Sequence, residues 1–250
     1  MKLAVFDLDH TLMPMDTSGS WVIWMTAASG LRLEPVLAVV RKFDADYDAG
    51  CLDIDEFMAT QMQWLARFRR AHLERVREAF TKYWLAPNVP QASLDLVESH
   101  RAVGDVTAVC TATYSFASAP SARLFGVEHL LACRAETDER GEFTGRLAGR
   151  NSFGPSKIAY VKDFLATDTC RGLTAADVVF YSDSMVDMPL FNFVDAAGGT
   201  CVAVNASPEL AAEADRRGWE KIATYTEEML ARAMIPAMGA QFYPEVFRHV

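Results

Sequence analysis

The sequence predicts an α/β fold, a doubly wound parallel sheet interrupted by a helical insertion. Three short apolar runs, residues 2–6, 106–110 and 177–181, each end abruptly in polar residues: Asp7 and Asp9 after the first, Thr111 after the second, and Ser182, Asp183 and Ser184 after the third. Runs of this length and composition read as buried strands, and helical patterns follow each of them. Strands separated by helices pair in parallel through right-handed crossovers, and open sheets of that kind bind ligands beyond the strand C-termini. The polar residues are therefore expected along one edge.

The elements follow in order. After the first strand, residues 17–87 show no strand pattern but several helical stretches rich in Trp, Met, Leu and Phe, including 53–69 and 71–85. This block falls between two polar strand ends, so it is expected to cap the same edge, with 1–16 and 88–250 forming the sheet domain. Its aromatic and methionine stripe reads as core. Residues 129–149 read as a hairpin with Gly141 in the turn. The stretch 234–250, with Pro236, Gly239, Phe242 and Pro244, is apolar but irregular and is assigned no function.

The bulk properties exclude several classes. A chain of 250 residues, 51% hydrophobic, can bury a substantial core. Its net charge of -9 offers no general attraction to nucleic acid or anionic lipid, and the densest basic cluster, Arg67, Arg69 and Arg70, reads as a solvated helix face. Five cysteines without a CxxC or zinc pattern fit the reduced thiols of a cytoplasmic protein. The first apolar run breaks at Asp7, unlike a secretory signal, and no window approaches the ~18 apolar residues of a membrane span. The expected partner is a small molecule, with neither nucleic acid nor membrane, for a monomer or homodimer.

Asp7 and Asp9 lie where a strand ends and the chain turns, so both carboxylates can reach one pocket. Two like charges buried together are costly unless a cation or a shared proton compensates. Asp183 and Asp187 add further carboxylates, and oxygen donors without His or thiolate suit a hard ion, magnesium above others. Any one of these aspartates alone would read as a helix cap or turn residue; the combination carries the argument.

Asp7-x-Asp9-x-Thr11, Thr111, Lys157 and Ser182-Asp183-Ser184-x-x-Asp187 resemble, in order, the four motifs of the haloacid dehalogenase superfamily, over almost the whole chain. A helical insertion directly after the first motif is similar to subfamily IB, the branch of phosphoserine phosphatases and related histidinol phosphatases. The resemblance implies a Rossmann-like core with an inserted α-helical cap, and a Mg2+-dependent phosphatase acting on a small phosphate ester through phosphoaspartate. It implies Asp7 as nucleophile and Asp9 as the acid and base, with Thr111 and Lys157 on the phosphoryl group. Magnesium would be held by Asp7, the Asp9 carbonyl and Asp183, with Asp187 acting through water. These roles match physical need: attack by a carboxylate splits one difficult step into two, and a second carboxylate must supply and then remove a proton. Thr113 rivals Thr111 for the hydroxyl role. His10 is read as a turn or supporting residue, and Ser182 stands where the family often carries glycine.

The cap should select the ester. Asp16 stands where phosphoserine phosphatases carry an acidic residue near the substrate amine, but it could equally cap a helix starting near Ser18. Arg67, Arg69 and Arg70 are candidates to bind a substrate carboxylate, although none matches the family pattern. Histidinol phosphate is therefore favoured over phosphoserine. The rival readings are a phosphotransferase or mutase using the same phosphoaspartate, and a non-catalytic phosphate-binding regulatory module.

Overall fold

The computed structural model describes residues 1–233; the apolar stretch 234–250 lies outside them. The chain opens with β1 (Leu3–Phe6), runs through α1 (Thr17–Ala28), α2 (Glu34–Asp48), α3 (Ile54–Leu65), α4 (Arg70–Phe80) and α5 (Gln91–Ala102), and enters β2 (Val106–Cys110). Next come α6 (Ser115–Leu124), β3 (His129–Leu131), β4 (Arg134–Thr137), β5 (Phe143–Ala148), α7 (Ser156–Leu165) and β6 (Val178–Ser182). The described chain ends with α8 (Met188–Ala196), β7 (Thr200–Val204), α9 (Pro208–Arg217), β8 (Glu220–Ile222) and α10 (Glu227–Ala233).

Six strands form one sheet in the order β3-β2-β1-β6-β7-β8, with every pairing parallel. The fold is the expected α/β one. All four residues of β1 are buried, because helices cover both faces of a parallel sheet. Alternation along the strands divides the core: Leu3, Val5 and Phe180 pack with Leu190 and Phe191 on one face, while Ala4, Phe6 and Val179 join Trp21, Trp24 and Phe80 on the other. That second cluster runs without a break into α1, α3 and α4, so the helical block shares its core with the sheet. From β1 the chain passes first to β2 on one side and later to β6 on the other. This reversal opens a crevice at the C-terminal ends of these three strands.

Between β1 and β2 every regular element is helical. The stretches expected at 53–69 and 71–85 appear as α3, and as α4 continued by a π turn over Thr81–Leu85. The break between them falls where Arg69 is extended and the Arg70 amide donates to Glu142 of the hairpin, 2.8 Å away. The hairpin itself is shorter than its sequence pattern. Residues 129–131 join the main sheet beside β2, leaving β4 and β5 as the two arms, with Gly141 at φ 79° in the connection. β7 and β8 have no counterpart in the sequence reading. A Cβ at Gly199, just before β7, would stand 2.6–2.9 Å from Val194, the Val178 carbonyl and the Ala175 carbonyl, so only glycine fits that entry.

The other end of β1 is pinned by Asp105, whose carboxylate accepts from the Lys2 amide at 2.6 Å and from His100 Nδ1 at 2.8 Å; His100 Nε2 lies 2.7 Å from the Tyr181 hydroxyl. Burial pushes the Asp105 carboxyl up, but the hydrogen bonds from His100 and Lys2 outweigh it and hold it below its ordinary value of 3.8. A carboxyl with a depressed folded pKa stabilises the fold fully above the unfolded value and loses that contribution as pH falls through the folded one. Asp105→Asn is therefore expected to lower urea resistance at pH 7 by about 1–3 kcal/mol, with the gap to wild type narrowing below pH ~4. A gap unchanged at pH 3 would count against the charge-assisted network.

Candidate active site

The ladder between β1 and β6 continues one residue past the strand, because the Asp7 amide donates to the Tyr181 carbonyl at 2.9 Å. Asp7 is thus delivered on a fixed backbone at the sheet's centre. The chain then turns sharply: the amides of Thr11, Leu12 and Met13 all converge on the Leu8 carbonyl. His10 takes the left-handed conformation, φ 58°, and its carbonyl accepts from the Tyr225 hydroxyl at 2.7 Å and from Asn205 Nδ2 at 3.3 Å. It serves the turn, and burial holds its imidazole below the ordinary range.

Lys157, in the first turn of α7, is 3% exposed and binds Asp7 Oδ1 at 2.7 Å and Asp187 Oδ2 at 2.8 Å. Ser182 Oγ also donates to Asp187 Oδ2, at 2.7 Å. Thr11 lies between Asp7 and Asp183: its hydroxyl is 2.9 Å from Asp183 Oδ1 and 3.3 Å from Asp7 Oδ2, and it accepts from the Asp183 amide at 3.1 Å. Asp9 is held differently, by the Thr17 amide at 2.9 Å and the Thr113 hydroxyl at 2.6 Å, with no cation on it among the described residues. Thr113 in turn donates its amide to Thr111 Oγ at 3.1 Å, and both threonines line the cavity, with Thr113 the one bonded to Asp9.

The electrostatics follow from this crowding. Burial pushes Asp7 up to about 6 against the pull of Lys157, with Asp187 adding to the rise. Burial, then the charge of Asp16, pushes Asp9 up to about 7, beyond what its bonds from Thr113 and Thr17 offset. Asp183 is raised well above the carboxylate range by burial and by Asp7. Burial opposes the charge on Lys157, but Asp187 and Asp7 overcome it and keep the ammonium protonated. Asp7 and Asp187 thus share the Lys157 ammonium, while Asp183 is held by Thr11 and meets no cation among the described residues.

That imbalance bears on a metal. Asp187 is 2% exposed and its Oδ1 has no hydrogen-bond partner, an orphaned buried oxygen of the kind that a cation or its water shell satisfies. Among the described residues no three His, Cys, Asp or Glu side chains stand as a ready-made cage. Magnesium does not require one, since it keeps several waters and takes only one or two carboxylates. The all-oxygen donor set fits it.

A cavity of about 520 Å3 lies between the strand ends and the helices α1 and α2. Asp7, Asp9, Thr111, Lys157, Asp183 and Asp187 meet at its base. Asp16 also lines it while capping α1, with Oδ1 accepting from the Ser18 amide and hydroxyl and Oδ2 from the Gly19 amide. The arginines do not reach the cavity. Arg69 and Arg70 face Glu142 and the Gly141 carbonyl on the hairpin, and Arg67, which follows α3, does not line the cavity. The wall contains instead a face of α2 that sequence reasoning missed: Phe43, Asp44, Tyr47 and Asp48.

The pattern of haloacid dehalogenase-like hydrolases matches residues 4–192. The chain is 34% identical over 221 residues, 87% of its length and 96% of the relative's, to a histidinol-phosphatase of Neisseria meningitidis serogroup C (strain 8013). A crystal structure of a protein of unknown function from Bordetella pertussis Tohama I superposes with a TM-score of 0.80 at 33% identity, covering 89% of this chain and 98% of that one. A substrate-bound phosphoserine phosphatase superposes with a TM-score of 0.62 at 17% identity over 94% of this chain and 96% of the other, a likeness of fold. The chain belongs to the haloacid dehalogenase-like hydrolase family.

Proposed function

We propose that this hydrolase is a Mg2+-dependent phosphomonoesterase that passes phosphate through Asp7 to water. Residues 17–87 act as its cap, and the flanking segments, 1–16 and from 88 onward, as its core. The observation that carries the reading is the pairing of two differently held carboxylates at one strand end. Asp7 is fixed against the Lys157 ammonium, and Asp9, which meets no cation among the described residues, is pushed up to about 7.

An ionised Asp7 attacks phosphorus while Lys157 offsets the repulsion between carboxylate and phosphoryl oxygens. The protonated Asp9 gives its proton to the leaving alkoxide. In the second step Asp9 takes a proton from water, which attacks the aspartyl phosphate and releases inorganic phosphate with Asp7 restored. Thr113 and the Thr17 amide keep Asp9 aimed through both transfers. Asp7, the Asp9 carbonyl and Asp183 would hold magnesium, with Asp187 supporting its waters, and the ion would neutralise charge on the phosphoryl oxygens.

The wall favours an amine-bearing ester without a carboxylate. Asp16, Asp44 and Asp48 line the cavity, and its one Lys or Arg among the described residues is Lys157, already shared by two carboxylates. Asp44 is pushed up to about 6 by burial, then by Asp16 and Asp48, a repulsion that a bound cation would relieve. Histidinol phosphate meets this demand better than phosphoserine, and the Neisseria relative bears the name of that activity. Free thiols at all five cysteines accord with a cytoplasmic setting.

The test is phosphate release across histidinol phosphate, phosphoserine, phosphoethanolamine, sugar phosphates and an aryl phosphate, with magnesium and then with EDTA. The expected result is magnesium-dependent hydrolysis with an amine-bearing ester leading in kcat/KM. Asp44→Asn should cost that ester about tenfold while leaving the aryl phosphate nearly unaffected. Hydrolysis undiminished by EDTA would remove the metal, and equal losses on both esters would remove the charge reading of α2.

A further inference from the structure

Helix α2 roofs the cavity but is the loosest part of its wall. Of its fifteen residues only Val36 and Phe43 are buried. Its outer side makes only exposed contacts, Lys42 to Asp46 on the same helix and to Glu56 on α3, while on its inner side Phe43 meets Phe57 at 5.2 Å. Helices with few buried apolar groups sit at the low-stability end of a fold and open locally. Something must therefore set how closely α2 approaches the strand ends.

That contact is Tyr47, in the last turn of α2. Its hydroxyl lies 2.9 Å from Ser184 Oγ, and its ring meets Phe153 edge to face at 6.4 Å. Among the described residues this is the only side-chain hydrogen bond between α2 and the sheet domain. Ser184 directly follows Asp183, and its Oγ also accepts from the Val186 amide at 3.2 Å, capping the short turn that carries Asp187. The roof of the cavity is thus tied to the loop that presents Asp183 and Asp187. Two aromatic rings, Tyr47 and Phe153, close the same side.

Building on the phosphatase reading, we propose that Tyr47 is a positioning residue: its bond to Ser184 seats α2 over the catalytic loop and thereby forms the wall against which the leaving group packs. Tyr47 touches no reacting atom in this role. It acts on the half of the substrate that departs, whereas the phosphoryl half meets Asp7, Thr111 and Lys157 beyond its reach.

Tyr47→Phe keeps the ring and removes the bond; Ser184→Ala removes it from the other side, and Ser184→Thr keeps the hydroxyl. Tyr47→Phe should raise KM for the best ester about three- to tenfold with kcat within twofold; Ser184→Ala should raise KM as much but also lower kcat, because it uncaps the turn that carries Asp187. The double variant should have a KM no higher than either single one, Ser184→Thr should keep the wild-type KM, and competitive inhibition of Tyr47→Phe by inorganic phosphate should stay unchanged. Additive losses, an unchanged KM, or a parallel weakening of phosphate inhibition would overturn the proposal. Hydrogen exchange reads the same contact without turnover: amides of α2 should exchange faster in Tyr47→Phe and Ser184→Ala than in wild type. If exchange in α2 is unaltered, the tie is refuted whatever the kinetics; if it quickens while the wild-type protein hydrolyses no ester, the tie stands and the phosphatase reading falls.

Discussion

Asp7→Asn is expected to reduce phosphate release by at least three orders of magnitude while the protein remains folded and no less heat-resistant than wild type. The loss follows from chemistry: an amide cannot supply the lone pair that a carboxylate brings to phosphorus, and removing a nucleophile leaves only binding and electrostatic assistance. The retained stability follows from geometry. Asp7 and Asp187 share one ammonium with Asp183 close by, and Lys157 keeps its 2.8 Å contact to Asp187 when Asp7 becomes neutral. Asparagine can still accept from Lys157 at the Oδ1 position, and one like charge has left a buried cluster. Catalytic sites commonly hold such costly charges, so an inactivating substitution that stabilises is the expected signature.

Phosphate release and thermal melting, both measured with and without magnesium, check the two halves separately. Full activity in Asp7→Asn would refute the aspartyl route. A melting temperature lowered by more than a few degrees would instead show that Asp7 contributes more to the fold than the crowding argument allows.

The parts of this site that the sequence disclosed are those where chemistry interrupts a strand. Asp7, Thr111 and Ser182-Asp183 each follow or end a mainly apolar run, and parallel pairing with helical crossovers sends such ends to one edge. Lys157 and Asp187 were legible only through their place among the motifs. In isolation a lysine in the first turn of a helix reads as solvated, whereas here it is 3% exposed.

The missed residues share a different physical reason. Asp44, Tyr47 and Asp48 lie on a polar amphipathic helix whose pattern is that of any surface helix, and only tertiary placement turns their face toward the cavity. Likewise β8 is three residues at the sheet edge, too short and too polar for periodicity to reveal. The arginine candidates went the other way. Their charge suggested a ligand, but the chain break before α4 turns Arg69 and Arg70 toward Glu142.

Lys157→Met should be damaging in both respects, and this separates it from Asp7→Asn. The substitution conserves length and apolar bulk but strips the only cation from two buried carboxylates, whose side chains are 10% and 3% exposed at Asp7 and Asp187. Breaking a buried pair from one side costs about 3–5 kcal/mol, because the partner charge remains behind. For a domain of this size that corresponds to a fall in melting temperature of roughly 10 °C. Activity should drop about a hundred- to a thousandfold, since the ammonium that offsets repulsion between Asp7 and the phosphoryl oxygens is gone. Lys157→Arg should not rescue it: a planar fork cannot occupy the space of a compact ammonium reaching two carboxylates at 2.7 and 2.8 Å.

Pairing the change with Asp187→Asn distinguishes cause from accident. If stability is lost through stranded charge, Lys157→Met/Asp187→Asn should melt higher than Lys157→Met alone, even though it carries an additional substitution, while its activity stays low because Asp7 still lacks its cation. If the double variant melts lower, the loss in Lys157→Met comes from packing, and the ammonium is not what holds these carboxylates together.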